Sequence, residues 1–186
     1  KQQHQFGFAI QAIAPITYTS KEQQTHLLAV GGRFNRLVLW NFEKGQPQIL
    51  DYPQGDPNHY LSSLDTADAH TTRLATADNQ GRITLWNLNK CLKDNTLCRP
   101  SDRWEDGHQG KPVNTVALSK NACYLVSGGD DGRVMLWFLN TLGQVMTHKQ
   151  LAHFKKPVNS VDILQQDKTL LVVSGSDTHR VKLHHT

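Results

Sequence analysis

The chain has 186 residues, 38% of them hydrophobic, with 20 lysines and arginines against 16 acids and a net charge of +4. That length suits one domain with a sizeable core, and no apolar run is long enough to cross a bilayer as a helix. The basic residues are spread along the sequence, so they permit an acidic partner without forming the dense block of a nucleic-acid-binding arm.

The opening segment, KQQHQFGFAIQA, has neither the apolar core nor the cleavage pattern of a signal peptide. Three cysteines in the whole chain favour a reducing, cytoplasmic setting. Ile10, Ile13 and Ile16 mark a leading strand, residues 17–25 a long polar turn, and residues 26–31 a second strand. A hairpin at Gly32-Arg33-Phe34-Asn35 then leads into Arg36-Leu37-Val38-Leu39-Trp40. Residues 46–50 predict an outer strand at an edge, where Pro47 needs no ladder donor. Turn chemistry fills residues 52–58. Leu61 and Leu64 open the next unit, residues 73–77 continue it, and Arg82-Ile83-Thr84-Leu85-Trp86 closes it. The insertion over residues 87–101 carries Cys91 and Cys98. Neither a loop-closing disulfide nor half of a metal site is adopted there, because only two ligands lie together. Trp104 falls in the place of another outer strand.

The third unit, GHQGKPVNTVALSKNACYLVSGGDDGRVMLW over residues 107–137, is the fullest. Val113, Val116 and Leu118 lie on its first strand, Cys123 begins the second as a small core residue, and Asp131-Gly132 between two apolar runs signals a hairpin. The fourth unit repeats this through Val158, Val161 and Ile163, a turn at 165–168, a strand from 170 to 174, and Arg180-Val181-Lys182-Leu183-His184. The four units end at Trp40, Trp86, Trp137 and His184, giving periods of 46, 51 and 47 residues, and Val30, Thr76, Ser127 and Ser174 each lie ten residues earlier. A period near 45 with several strands per repeat predicts propeller blades. Their bounds are approximately 1–54, 55–103, 104–149 and 150–186, the last blade lacking its outer strand.

On these residues the chain resembles the WD40-repeat family, and PVNTVALS with VSGG, then PVNSVDIL with VSGS, is similar to multi-repeat bacterial WD40 proteins. The resemblance implies an all-β propeller of four-stranded antiparallel blades, here one partial domain of a ring of about seven blades, with a self-sufficient four-bladed ring as the alternative. It also implies a buried tetrad of His108, Ser127, Asp131 and Trp137, in which each polar group finds a partner and fixes one blade geometry. The other units depart from this set. Val30 and Phe34 replace hydroxyl and acid in the first, Gln80 replaces the acid in the second, and Thr178 and His184 replace acid and indole in the fourth. Asn41, Asn87 and Phe138 stand where the family places the aspartate after its tryptophan.

Signatures for phosphate cradling, zinc hydrolysis and acyl transfer are missing, and Asp130-Asp131-Gly132 lacks the successive ligands of a calcium loop. No catalysis, cofactor or metal is therefore expected, an enzyme with its site at the propeller channel being the reading set aside. Function is expected on one loop-bearing end. Its hairpins carry Arg33, Phe34 and Asn35, then Asn79 and Gln80, then Asp130, then Asp177, Thr178 and His179; the connections leading into each blade add Asn58, His59, Tyr60, Gln109, Lys111, Phe154, Lys155 and Lys156. Phe34 and Phe154 are either aromatic anchors for a partner or side chains tucked into a neighbouring blade. Arg36, Arg82, Arg133 and Arg180 either form an arc that receives an acidic peptide or phosphate or, the favoured reading, pair locally with their stems on apolar edges. The expected function is a non-catalytic protein-interaction scaffold or sensor whose partner is a protein or peptide. The alternatives are nucleic-acid or acidic-ligand binding through a basic rim, nucleic acid being the weaker, and the propeller domain of a larger bacterial signalling or effector protein. A second chain or a further segment is expected to complete the ring, since end blades leave apolar surface open. No membrane partner is expected.

Overall fold

A computed structural model describes residues 3–20, 23–45, 47–50, 57–68, 72–166 and 169–186. Among these described residues, fifteen strands form four antiparallel sheets in chain order. The first contains β1 (Ile10–Ser20), β2 (Gln23–Gly32), β3 (Leu37–Trp40) and β4 (Pro47–Ile49). The second contains β5 (Leu61–Asp68), β6 (Thr72–Asp78), β7 (Ile83–Asn87) and β8 (Pro100–Trp104), with a short helix, α1 (Asn89–Asp94), in its last connection. The third is β9 (Val113–Leu118), β10 (Tyr124–Gly129), β11 (Arg133–Leu139) and β12 (Val145–His153). The fourth has three strands, β13 (Val158–Gln166), β14 (Thr169–Ser176) and β15 (Arg180–His185).

Each sheet meanders outward from an inner strand, and the inner strands lie side by side: β1 beside β5, β5 beside β9, β9 beside β13. Strands buried on both faces read as continuous apolar runs rather than alternating ones, which is why Ile83 to Trp86 and Val134 to Trp137 are buried without a break. Three layers of core result. Ala14, Ile16, Leu37 and Leu39 pack on Leu61, Leu64 and Leu74; Ala75, Ala77 and Leu85 pack on Val113, Val116 and Trp137; Val126, Val134 and Leu136 pack on Val158, Val161 and Ile163. Side chains also tie the inner strands together. Thr66 donates to the carbonyl of Pro15 at 2.6 Å, while the amides of Val116 and Leu118 donate to Ser63 and Asp65 at 3.1 and 2.6 Å.

Among the described residues, no sheet covers the two outer faces of the stack. Ile13 is 63% exposed on the first sheet, and Val181 and Leu183 are 73% and 65% exposed on the fourth, although their counterparts Val134 and Leu136 are fully buried.

Four expectations are corrected. The polar turn over 17–25 is largely strand, because β1 and β2 continue as a long hairpin that pairs Thr17 with His26 and Ser20 with Gln23. Cys123 is exposed in the turn before β10 and is not a core residue. Asn35 is buried rather than exposed on the hairpin, and Phe154 takes the second of its two readings, tucked into the core between the third and fourth sheets. Cys91 and Cys98 form a disulfide across a Cα separation of 5.1 Å. The bridge forms because Asn95 turns left-handed at φ 50° and ends α1, folding the chain back on the helix; it removes the cysteine-count argument for a reducing compartment. Most of the predicted turn at 52–58 lies outside the described residues. Titration of the denatured, unreduced chain should find about one reactive thiol, that of Cys123, and reduction should lower stability by about 2 kcal/mol for so short a loop. A count of three would contradict the bridge.

Candidate interaction surface

The hairpins joining the second and third strands of every sheet lie at one end of the stack, and each is clamped to the start of its own inner strand. The amides of Arg33, Asn79, Asp130 and Asp177, one register position in the four repeats, donate to the carbonyls of Ala9, Tyr60, Pro112 and Pro157 at 2.9–3.2 Å. Side chains reinforce the clamp. Asn114 donates to Asp130 at 2.7 Å, and Asn159 donates to Asp177. In the second sheet Asn79 accepts from the Tyr60 amide and donates to the carbonyl of Asn58. Asn79 is among the hairpin residues expected from the sequence, whereas Asn114 and Asn159 are not, although they occupy the same place in the repeated Pro-Val-Asn.

The first three hairpins also abut the connection that leads into the next sheet, the second through Gly81 against Gly110 and Lys111. The Phe34 amide donates to His59 at 2.7 Å, Arg33 bridges Tyr60, and the Phe154 amide donates to Gly132 at 2.7 Å. Gly132, at φ 75°, can only be glycine, because a β-carbon there would lie 2.2 Å from the Phe154 carbonyl oxygen. The four hairpins and three connections therefore form one unbroken rim on a rigid support.

The rim carries an uneven distribution of charge. Arg82 is held by Asp78 at 2.7 Å, and Asp78 also accepts from the amides of Gln80 and Arg82. The second repeat thus has a buried acid, two positions before the one read as glutamine. Arg133 lies 3.7 Å from Asp131. So the four arginines are no uniform arc: Arg82 and Arg133 are engaged by their own hairpins, whereas Arg36 and Arg180 are exposed. Arg33, Lys111, Lys155, Lys156 and His179 are exposed as well, Tyr60 is half-buried, and Phe34 is 37% exposed at φ 61°. Among the described residues, none of Arg33, Arg36, Lys111, Lys155 or Arg180 makes an ion pair.

Below the rim of the third sheet, His108 joins three residues. Its Nδ1 lies 2.9 Å from Asp131 and its Nε2 2.8 Å from the Ser127 hydroxyl, which also accepts from Trp137 Nε1 at 2.8 Å. His108, Ser127 and Trp137 are fully buried. Burial alone would raise the Asp131 carboxyl; the hydrogen bond and charge of His108, aided by the amide and charge of Arg133, outweigh it and hold the group below its ordinary value.

The profile of the WD domain, G-beta repeat, matches residues 101–137, the stretch that contains this network. Protein ROOT INITIATION DEFECTIVE 3 of Arabidopsis thaliana is 24% identical over 75% of the chain, and Small ribosomal subunit protein RACK1 of Caenorhabditis elegans is 42% identical over 31%. The chain thus carries a WD40 repeat over residues 101–137 and is similar to WD40-repeat propellers. It spans about a quarter of the first relative's length and less of the second, 26% and 15%. Among solved structures, a chain of a humanized mutant Chaetomium thermophilum Polycomb Repressive Complex 2 superposes with a TM-score of 0.72 at 16% identity over 98% of this propeller chain and 39% of its own. The computationally designed Ika4 protein superposes at 0.66 with 18% identity over 97% of this chain and 93% of its own. At such identities these two structures speak for the fold alone.

Among the described residues, no group of three histidines, cysteines or acids is placed to hold a metal ion, and no helix is long and apolar enough to cross a membrane.

Proposed function

We propose that this chain is a non-catalytic interaction module that docks a protein or peptide on the rim formed by its hairpins and lead-in connections. The observation that carries the reading is the coupling of the first three hairpins to the next sheet's connection, which presents Phe34 and several cations without an ion pair among the described residues on one rigid surface. Rigid presentation lowers the ordering cost of binding, and an exposed aromatic among arginines is the composition of a binding hot spot. A relative agrees in kind, being named as a ribosomal subunit protein. We also infer that further blades cover the apolar outer faces at Ile13, Val181 and Leu183, completing a larger ring.

A photo-crosslinking residue placed at Phe34 should capture protein from an extract of the source organism, while one at Leu142, exposed at the opposite end of the third sheet, should not. Arg33→Ala and Phe34→Ala should each weaken binding of the captured partner about tenfold. Equal capture from both ends would sink the rim assignment. Capture abolished by nuclease and falling steeply with salt would turn the reading towards nucleic acid.

A further inference from the structure

The fourth sheet retains the positions of the buried polar network without forming it. Ser174, Thr178 and His184 stand where the third sheet has Ser127, Asp131 and Trp137, and His153 stands where it has His108. In the third sheet His108 turns inward and joins the other three. In the fourth, His153 ends strand β12, pairs with Arg133 in the ladder and faces solvent. Three polar atoms lose their bridge as a result. Ser174 Oγ, Thr178 Oγ1 and His184 Nε2 are buried with no hydrogen-bond partner, although a buried polar group ordinarily has one.

Of these three residues Thr178 lines a cavity of about 300 Å³, together with His153, Phe154, Lys155, Arg180 and Lys182. Its lining contains three fixed cations and no carboxylate. The Lys182 ammonium sits 4.5 Å from the centre of the Phe154 ring, which places it on the side facing the third sheet, and none of the three cations makes an ion pair among the described residues. Val181 and Leu183 point from the other face of β15. A further blade packed on that face therefore leaves the cavity open.

We propose that this cavity binds a phosphate monoester, the dianion meeting Arg180, Lys182 and Lys155 and taking a hydrogen bond from the Thr178 hydroxyl. A guanidinium presents a fork of donors that fits two phosphate oxygens, and lysine ammonium groups supply charge from either side. The space exceeds that of the phosphate alone and admits the group that carries it, with the Phe154 ring as an apolar wall. The site shares Lys155 and Arg180 with the rim, but a small anion is titrated without any docked protein, so its binding and the docking of a partner are tested separately.

Isothermal titration of the chain with inorganic phosphate, phosphoserine and acetate at low salt tests it. Saturable binding of phosphate and phosphoserine is expected, with acetate at least about tenfold weaker. Arg180→Gln with Lys182→Met should weaken phosphate binding at least about tenfold, whereas Lys90→Met with Lys93→Met, which removes the same charge from α1, should leave it unchanged. Thr178→Val alters no charge and should weaken phosphate binding about threefold; it keeps the site open to test if the double variant unfolds. Unsaturable binding, or equal losses in the α1 variant, would mean general charge attraction and overturn the site. A single-stranded oligonucleotide that outcompetes phosphoserine would overturn the monoester assignment.

Discussion

His108→Ala should lower the unfolding free energy of the chain by about 3 kcal/mol, read by urea denaturation at pH 7. The imidazole bonds to Ser127 and Asp131 at once, so its loss leaves a hydroxyl and a buried carboxylate without their partner while Trp137 still donates to Ser127. Each of those atoms then bears a desolvation cost that water formerly met in the unfolded chain. Asp131→Asn should cost a comparable amount, and the double variant should cost less than the sum by about 1–2 kcal/mol, because both changes break one network. Acidification gives a second readout. The Asp131 carboxyl titrates below its ordinary value in the folded chain, so its contribution is present above the unfolded value near 3.8 and disappears as pH falls through the lower folded value. Stability of the parent chain should therefore drop on the acid side of pH 4, and Asp131→Asn should flatten that limb. A His108→Ala chain as stable as its parent would remove the network from the account of the fold.

The repeat was legible because its signals are local. Apolar alternation, an Asp-Gly hairpin and a tryptophan ten residues after a hydroxyl can all be read along the chain, and they place the third sheet almost residue by residue. What escaped was set by neighbours distant in sequence or by small conformational choices. Phe154 reads as an aromatic in a polar connection, yet it is 4% exposed because the hairpin at Gly132 draws that connection onto the core between the third and fourth sheets. Asn35 reads as a surface turn residue, but it takes the left-handed position that glycine holds at 81 and 132 and is buried there. Gln80 replaces the acid by register, while Asp78, two residues earlier, supplies a carboxylate to the same hairpin. The disulfide depended on one left-handed residue, Asn95, for which the surrounding sequence gives no strong signal.

The fourth repeat illustrates how the same pattern can keep its shape and lose its chemistry. Its backbone pairings follow those of the third, with β13 to β14 shifted near Val158 as β9 to β10 are near Val113. Side-chain identity alone separates them: Thr178 cannot offer the charge that draws His108 inward towards Asp131, and His184 cannot fill the volume of Trp137. An outward His153 follows from the missing carboxylate, and the basic cavity opens beside Thr178.

Arg73→Ala should lower stability by about 3–5 kcal/mol, the largest loss expected from one residue of the second sheet. Arg73 begins the inner part of β6 and is buried, yet its guanidinium reaches across to the third sheet, where Nη1 donates to the Ala122 carbonyl at 2.5 Å and Nη2 donates to Asn140 and Thr141 at 2.9 and 2.8 Å. Burial pulls the group's pKa down, with the nearby Cys123 acting in the opposite direction, but a guanidinium remains charged throughout the range in which proteins fold. Its charge is met by three carbonyl dipoles from two separate turns, so one side chain fastens the second sheet to both turns at the end opposite the rim. Alanine would leave those carbonyls unpaired and vacate the space beside Gly143, whereas Arg73→Lys should recover part of the loss, since a single ammonium can serve one turn but not both. Hydrogen exchange should show the effect spatially: amides of Ala122 and Gly143, which close their turns onto Ser119 and Asn140, should lose protection before those of β9 to β11. Uniform loss of protection, or a change smaller than about 1 kcal/mol, would mean that the apolar layer between the sheets suffices without the arginine.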